Sequence, residues 1–315
     1  MFAARGIGVS LAIFVLIYVP LSLIVARCWR LMRGMLTSGS ARQSANGLFA
    51  LRVFPFALST IFTLVFTLPS FLLLEPRGTG ESVGALPMAL GVCCLMVVAV
   101  GIFRAISAHR TTSRALMKWL DGSTVMEPES SIPVFCTGKD APTFTVAGVR
   151  EPKVLISEAA VAALSPAELR TALKHELSHV RSHDNLKKLI FRLSVFPGMS
   201  RLERAWSEEA ELAADDAAVA SLDDALDLAS ALIKVSQLTV AQPIPALTTG
   251  LLHSSTALQL RVKRLFSWNE RHLTCPSGRG KLYTTLSAVA MLVLVASTYS
   301  SALSQLHAVT EWLVR

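Results

Sequence analysis

Four stretches of the chain are apolar and carry no charge, and each is long enough to suit a bilayer. Residues 6–26 hold none between Arg5 and Arg27, and residues 53–74 hold none between Arg52 and Glu75. Residues 86–103 and 282–303 repeat the pattern. At about 1.5 Å of rise per residue, each can cross a hydrocarbon layer as a helix. Pro55 and Pro69 fall near the ends of the second run, where a helix tolerates them best. Between runs two and three, Glu75–Gly84 is short, glycine-containing and mixed in charge, which predicts an external hairpin loop.

The polar positions between these runs give the orientation. Residues 28–52 are basic and contain no acid, so they read as a cytoplasmic loop. Arg104, Arg110, Arg114 and Lys118 follow the third run, and Arg261, Lys263, Arg264, Arg279 and Lys281 precede the fourth. A cleaved signal peptide is the competing reading of residues 6–26. It would place its positive cluster before the apolar run, whereas here Arg27, Arg30, Arg33 and Arg42 come after it. The expectation is four spans, both termini outside, and everything between the third and fourth spans in the cytoplasm.

Composition agrees with this. The chain has 315 residues, 52% hydrophobic and 17% charged, which is the balance of a membrane protein. The formal net charge of +8 is therefore assigned to cytoplasmic loops, and no nucleic-acid motif accompanies it. The five cysteines (Cys28, Cys93, Cys94, Cys136, Cys275) form no CxxC pair, which argues against a disulfide framework and a cysteine metal site. Cys93 and Cys94 read as buried apolar filler.

Residues 107–280 change in character. They are mixed, helix-rich and hold most of the charge, as a globular domain of about 170 residues would. The segments 143–149 and 153–156 predict two short strands joined by a turn at Arg150-Glu151-Pro152. Ser165-Pro166-Ala167-Glu168 predicts a helix start, with Ser165 as N-cap, Pro166 in the first turn and Glu168 closing a capping box. An edge strand beside that helix would suit an extended peptide. Residues 186–199 predict a core helix or one resting on the membrane surface. Residues 201–220 and 222–238 predict two further helices, the second amphipathic.

The helix starting at Ser165 carries His175-Glu176-Leu177-Ser178-His179 about two turns in. Residues i and i+4 share a helix face, so His175 and His179 can present two imidazoles to one ion. Glu176 can reach a water on that ion and take its proton. A third protein ligand is needed. His183 continues the i+4 series but lies about 12 Å along the axis from His175, too far to share an ion. Glu211, in Glu-Leu-Ala-Ala-Asp, is the better candidate. Asp215 lies one turn further on the same face, where it can accept the free N–H of a ligating histidine. Glu208, Glu209 and Asp216 read as a solvated helix face.

The two motifs together resemble the gluzincin membrane peptidases, most of all the BlaR/MecR-type family, whose members act as β-lactam sensor-transducers. The Leu164–Leu169 approach to the motif and Asp184-Asn185 after it are similar too. The resemblance implies four membrane helices with a cytoplasmic α+β zinc peptidase domain. It implies zinc on His175, His179 and Glu211 and Glu176 as base. The boundaries are then 1–106 for three spans, 107–280 for the peptidase and 281–315 for the fourth span with a short external tail. The antibiotic sensors carry an external penicillin-binding domain after their fourth span, and here only about a dozen residues follow, so β-lactam sensing is not carried over. The HtpX-type and CAAX endopeptidases share both motifs, but HtpX-type chains place spans between them.

The expected function is a zinc endopeptidase cleaving cytoplasmic or membrane-associated proteins, a transcriptional repressor or a membrane protein being the candidate substrates. A homodimer is compatible with this. The rival reading is a non-catalytic membrane signalling or scaffold protein with a structural or degenerate metal site. A structural site has no need of Glu176. No oxyanion stabiliser stands out: His253 is a candidate, though a lone histidine is more often structural. Self-cleavage at Arg261–Phe266 is an option, but membrane anchoring accounts for those charges more simply.

Overall fold

The computed structural model describes residues 2–36, 39–74, 84–126, 132–138, 141–238, 245–250 and 255–268, with isolated helical positions between 299 and 308. The chain divides into two compact units, one made of Met1–Cys28, Val53–Ala99 and Leu273–Arg315, the other of Trp29–Arg52 and Val100–His272.

The first unit is helical. It takes in most of α1 (Phe2–Leu36), the later part of α2 (Ala41–Phe62), a π-helical turn (Thr63–Thr67), α3 (Leu68–Leu74) and the start of α4 (Ala85–Leu120). Three helical stretches are long and apolar enough to cross a membrane: Gly6–Leu31, Ala41–Leu74 and Ala85–Leu120. They pack through aromatic rings, with Phe14 5.4 Å from Tyr18 and both edge-on to Phe56. Leu16, Leu23, Ile24, Leu72, Leu73, Leu95 and Met96 point outward and exposed. Such a surface is costly in water and suits lipid. Tyr299 donates to the Val65 carbonyl (2.8 Å), and Ser70 donates to the Leu303 carbonyl (3.0 Å). The rest of the predicted fourth run, like residues 75–83 of the predicted loop, His253, Cys275 and most of the final tail, lies outside the described residues.

The second unit is a mixed sheet under a helical layer. Its strands are β1 (Thr124–Met126), β2 (Val134–Thr137), β3 (Phe144–Ala147), β4 (Lys153–Ser157) and β5 (Thr248–Gly250), in the order β1-β2-β4-β3-β5. β2 and β4 are parallel and the other pairings antiparallel. Val154, Leu155 and Ile156 are fully buried, so β4 is apolar on both faces, as an interior strand must be. The helices α5 (Glu158–Ala163), α6 (Pro166–Arg181), α7 (Asp184–Leu193), α8 (Ser200–Ala218), α9 (Leu222–Leu238) and α10 (Ser255–Phe266) follow. Val134, Phe144, Val146 and Ile156 of the sheet meet Ala172 and Leu177 of α6, Leu228 and Leu232 of α9 and Leu265 of α10 in one core.

Several expectations need correction. Residues 28–52 are not a loop: α1 continues to Leu36 and α2 starts at Ala41. The early part of α2 packs in this unit. Arg42 donates to Ser178 (2.8 Å) and Ser182, and buried Arg52 bonds Glu203 (2.8 Å) and the Ser194 carbonyl (2.8 Å). The two predicted strands exist as β3 and β4, but neither is an edge, since β3 is paired on both sides. The edge on that side is β5, whose Thr248 carbonyl accepts from Lys188 (2.6 Å). Three of the five strands escape prediction because each is only three or four residues long. Of the cysteine pair, Cys94 is buried but Cys93 is exposed, since neighbouring helix positions point about 100° apart.

Candidate active site

The site is built on α6. Ser165 caps it with the predicted capping box: its Oγ accepts from the Glu168 N–H (3.2 Å), and the Glu168 carboxylate accepts from the Ser165 N–H (2.7 Å). Glu168 also accepts from Ser230 (2.5 Å) and Lys234 (2.7 Å) of α9, so the cap ties α6 to a neighbouring helix. α8 packs across α6, and Ala213 and Ala214 are buried at the contact, where larger side chains would hold the backbones apart.

His175, His179 and Glu211 meet between these helices. One ligand atom from each lies within 4.8 Å of the others, and all three residues are buried. The two imidazole Nε2 atoms are 3.2 Å apart, and Glu211 oxygens lie 3.5 and 3.7 Å from them. Each ring has a carboxylate on its other side. Asp215 Oδ1 is 3.0 Å from His175 Nδ1, and Asp184 Oδ2 is 2.7 Å from His179 Nδ1. With Nδ1 of His179 donating to Asp184 and Nδ1 of His175 facing Asp215, the neutral rings turn their Nε2 lone pairs toward Glu211. Three converging lone-pair donors in a dry pocket repel one another unless a cation sits among them. This is a nitrogen–oxygen donor set that fits zinc, with the carboxylate–histidine pairs that orient such ligands.

The electrostatics point the same way. Burial would depress His179, yet Glu211, Asp184 and Glu176 together push it up to about 10. The pocket thus draws positive charge. Burial would raise Glu211, but His179, Arg261 and His175 hold it well below the ordinary carboxylate range. Glu176 is fully buried, and neither of its oxygens has a hydrogen-bond partner among the described residues. Burial raises it to about 6, partly offset by the two histidines. A carboxylate so placed is a stronger base than a solvated one.

Two residues essential to this arrangement were not anticipated. In the sequence Asp184 stands out only as part of the Asp184-Asn185 pair after the motif. The second is Arg261 of α10, whose place in a basic run before the fourth apolar stretch points instead to membrane anchoring. It is buried, donates through Nε and Nη2 to Asp215 (2.8 and 2.6 Å), and lies 3.0 Å from Glu211 through Nη1. Helical phase separates it from its neighbours: Lys263 and Arg264 are exposed, and Arg264 pairs with Asp216 on the surface. His183 is exposed and outside the cluster, because α6 ends at Arg181. Glu208 is exposed and Glu209 half-buried, and neither joins the cluster.

The family model of the BlaR1 peptidase M56 matches residues 86–265, more than half of the chain. The chain belongs to this family, and with its apolar helices it is a membrane metallopeptidase whose substrates are proteins. Comparison with curated proteins finds no match.

Proposed function

We propose that the protein is a zinc-dependent endopeptidase of the membrane, cleaving cytoplasmic or membrane-associated proteins. The observation that carries this is the buried His175–His179–Glu211 cluster with the unpartnered Glu176 carboxylate beside it. His175, His179 and Glu211 would hold the zinc. When bound, zinc would acidify a water and polarise the scissile carbonyl. Glu176 takes the proton of the attacking water, holds it in a site closed to solvent, and gives it to the leaving amine. Asp215 and Asp184 fix the imidazole tautomers that aim Nε2 at the metal. Arg261 balances Glu211 and Asp215 and keeps both carboxylates in place.

The charge pattern supports four spans with both termini outside and residues 107–280 in the cytoplasm, as in a bacterial inner membrane. The membrane segments would be 1–106 and 281–315. The decisive experiment is Glu176→Gln in purified protein, with zinc content and hydrolysis of an unfolded test protein measured together. Full zinc with activity lowered by about 10²–10⁴ is the expected outcome. Full zinc with wild-type activity would remove Glu176 from the mechanism.

A further inference from the structure

α4 carries a polar stripe that the peptidase reading does not use. Gly101, Arg104, Ser107, Ala108 and Thr111 recur every three or four residues and so share one face. Gly101 lets that face approach the end of α7, since a Cβ there would collide with the Leu193 carbonyl oxygen. Arg192 stands one residue earlier on α7. Arg104 and Arg192 consequently line one open cavity of about 280 Å³, together with Ser107 and Thr111 and flanked by Phe103 and Ala246.

The charges in this cavity are unbalanced. Arg52 and Arg261 in the same unit each have carboxylate partners. Arg104 and Arg192 have none among the described residues, yet they share a cavity with each other. Two like charges brought together are stabilised by an anion between them, and the planar guanidinium fork matches a phosphate. Ser107 offers a neutral hydroxyl beside them, while the Thr111 hydroxyl is committed to the Ser107 carbonyl (2.8 Å). Arg104 is also the first charged residue after the uncharged run 86–103, and the Phe103 ring next to it is exposed. Where that run crosses a bilayer, residue 104 falls at the level of lipid phosphates.

We propose that Arg104 and Arg192 form a binding site for the phosphate of an anionic phospholipid headgroup. The test uses the full-length protein in a neutral maltoside detergent, with bound species counted by native mass spectrometry. The probes are dihexanoyl phosphatidylglycerol, dihexanoylglycerol and inorganic phosphate. Saturable binding of the phosphatidylglycerol alone is expected. The double variant Arg104→Gln/Arg192→Gln should weaken it roughly thirtyfold, and Arg110→Gln, an exposed arginine outside the cavity, should leave it unchanged. Should the double variant unfold, Arg104→Lys and Arg192→Lys decide, since each keeps the charge but loses the fork and should still bind severalfold more weakly. The site is overturned if the variants bind as wild type does, or if Arg110→Gln is as damaging as the double variant. Equal binding of inorganic phosphate would overturn the lipid as its source, and equal binding of dihexanoylglycerol would overturn phosphate recognition.

Discussion

The polar side chains buried in the membrane unit, among the described residues, are hydroxyls, some bonded to a backbone carbonyl, as Ser59 and Ser70 are, and others solitary. Ser10, Ser22, Thr63 and Thr67 are each enclosed without a hydrogen-bond partner among the described residues. In the second unit, His175, Glu176, His179, Asp184, Glu211, Asp215 and Arg261 are buried together, within bonding reach of one another apart from Glu176. A lone hydroxyl costs about 1–3 kcal/mol to enclose, whereas a lone charge costs far more and must be compensated locally. The second unit compensates with Arg261 on Glu211 and Asp215 and with Lys187 on Asp184, and it leaves the Glu176 carboxylate with no ion pair among the described residues. The contrast shows which part of the molecule is organised around chemistry and which around packing against lipid.

The sharpest way to break this comparison is to remove the metal. Chelation should abolish hydrolysis and lower the thermal unfolding midpoint, with zinc restoring both, and His179→Ala or Glu211→Ala should make the loss permanent. An unfolding midpoint indifferent to chelation would mean that the carboxylates are balanced in some other way. Arg261→Ala comes next. It strips from Glu211 and Asp215 the only guanidinium they have among the described residues, and a loss of roughly 3–5 kcal/mol is expected in denaturant unfolding. A small loss there would show that Arg261 is peripheral. Asp184→Asn should act on the metal more than on the fold, lowering zinc affinity about 10–100-fold in a competition titration.

Smaller effects sharpen the picture. Burial would raise Glu168, but Lys234, Ser230 and the Ser165 backbone N–H bring it down from 4.5 to about 2. Its ionised form therefore stabilises the fold above pH 4.5, and the contribution is lost as pH falls toward 2. Glu168→Gln should flatten unfolding stability across that window and cost about 1 kcal/mol above it. At the other extreme, Ser22→Ala in the membrane unit should leave stability unchanged or raise it by about 1 kcal/mol, because it removes a buried hydroxyl with no partner among the described residues. A large loss at Ser22 would mean that its hydroxyl is not solitary.

The core of the site was legible in the sequence because it is written in helical spacing. His175 and His179, and Glu211 and Asp215, are i,i+4 pairs, and Ser165–Glu168 announces where α6 begins. Asp184 and Arg261 were harder for different physical reasons. Asp184 reaches His179 only because the chain bends between them. Arg261 sits among basic residues of a helix whose phase alone selects one of them for burial. The sheet was half legible: β3 and β4 carry apolar runs with a turn between them, but β1, β2 and β5 are too short to show a period. The basic segment 28–52 misled because a charge pattern reports which side of the membrane a segment occupies and says nothing of whether it is helical.

The bend after α6 has a consequence for how the site comes into being. His183 adopts a left-handed backbone conformation (φ 53°), unusual for a residue other than glycine, and the turn it makes brings Asp184 back onto His179. That pairing closes over five residues. The pairing of His175 with Asp215 must wait for α8 to dock from forty residues away. One imidazole is oriented as soon as its own helix and turn form, and the other only when the domain has assembled. A nascent chain would thus hold half of its zinc grip early, and full affinity would serve as a report that the fold is complete.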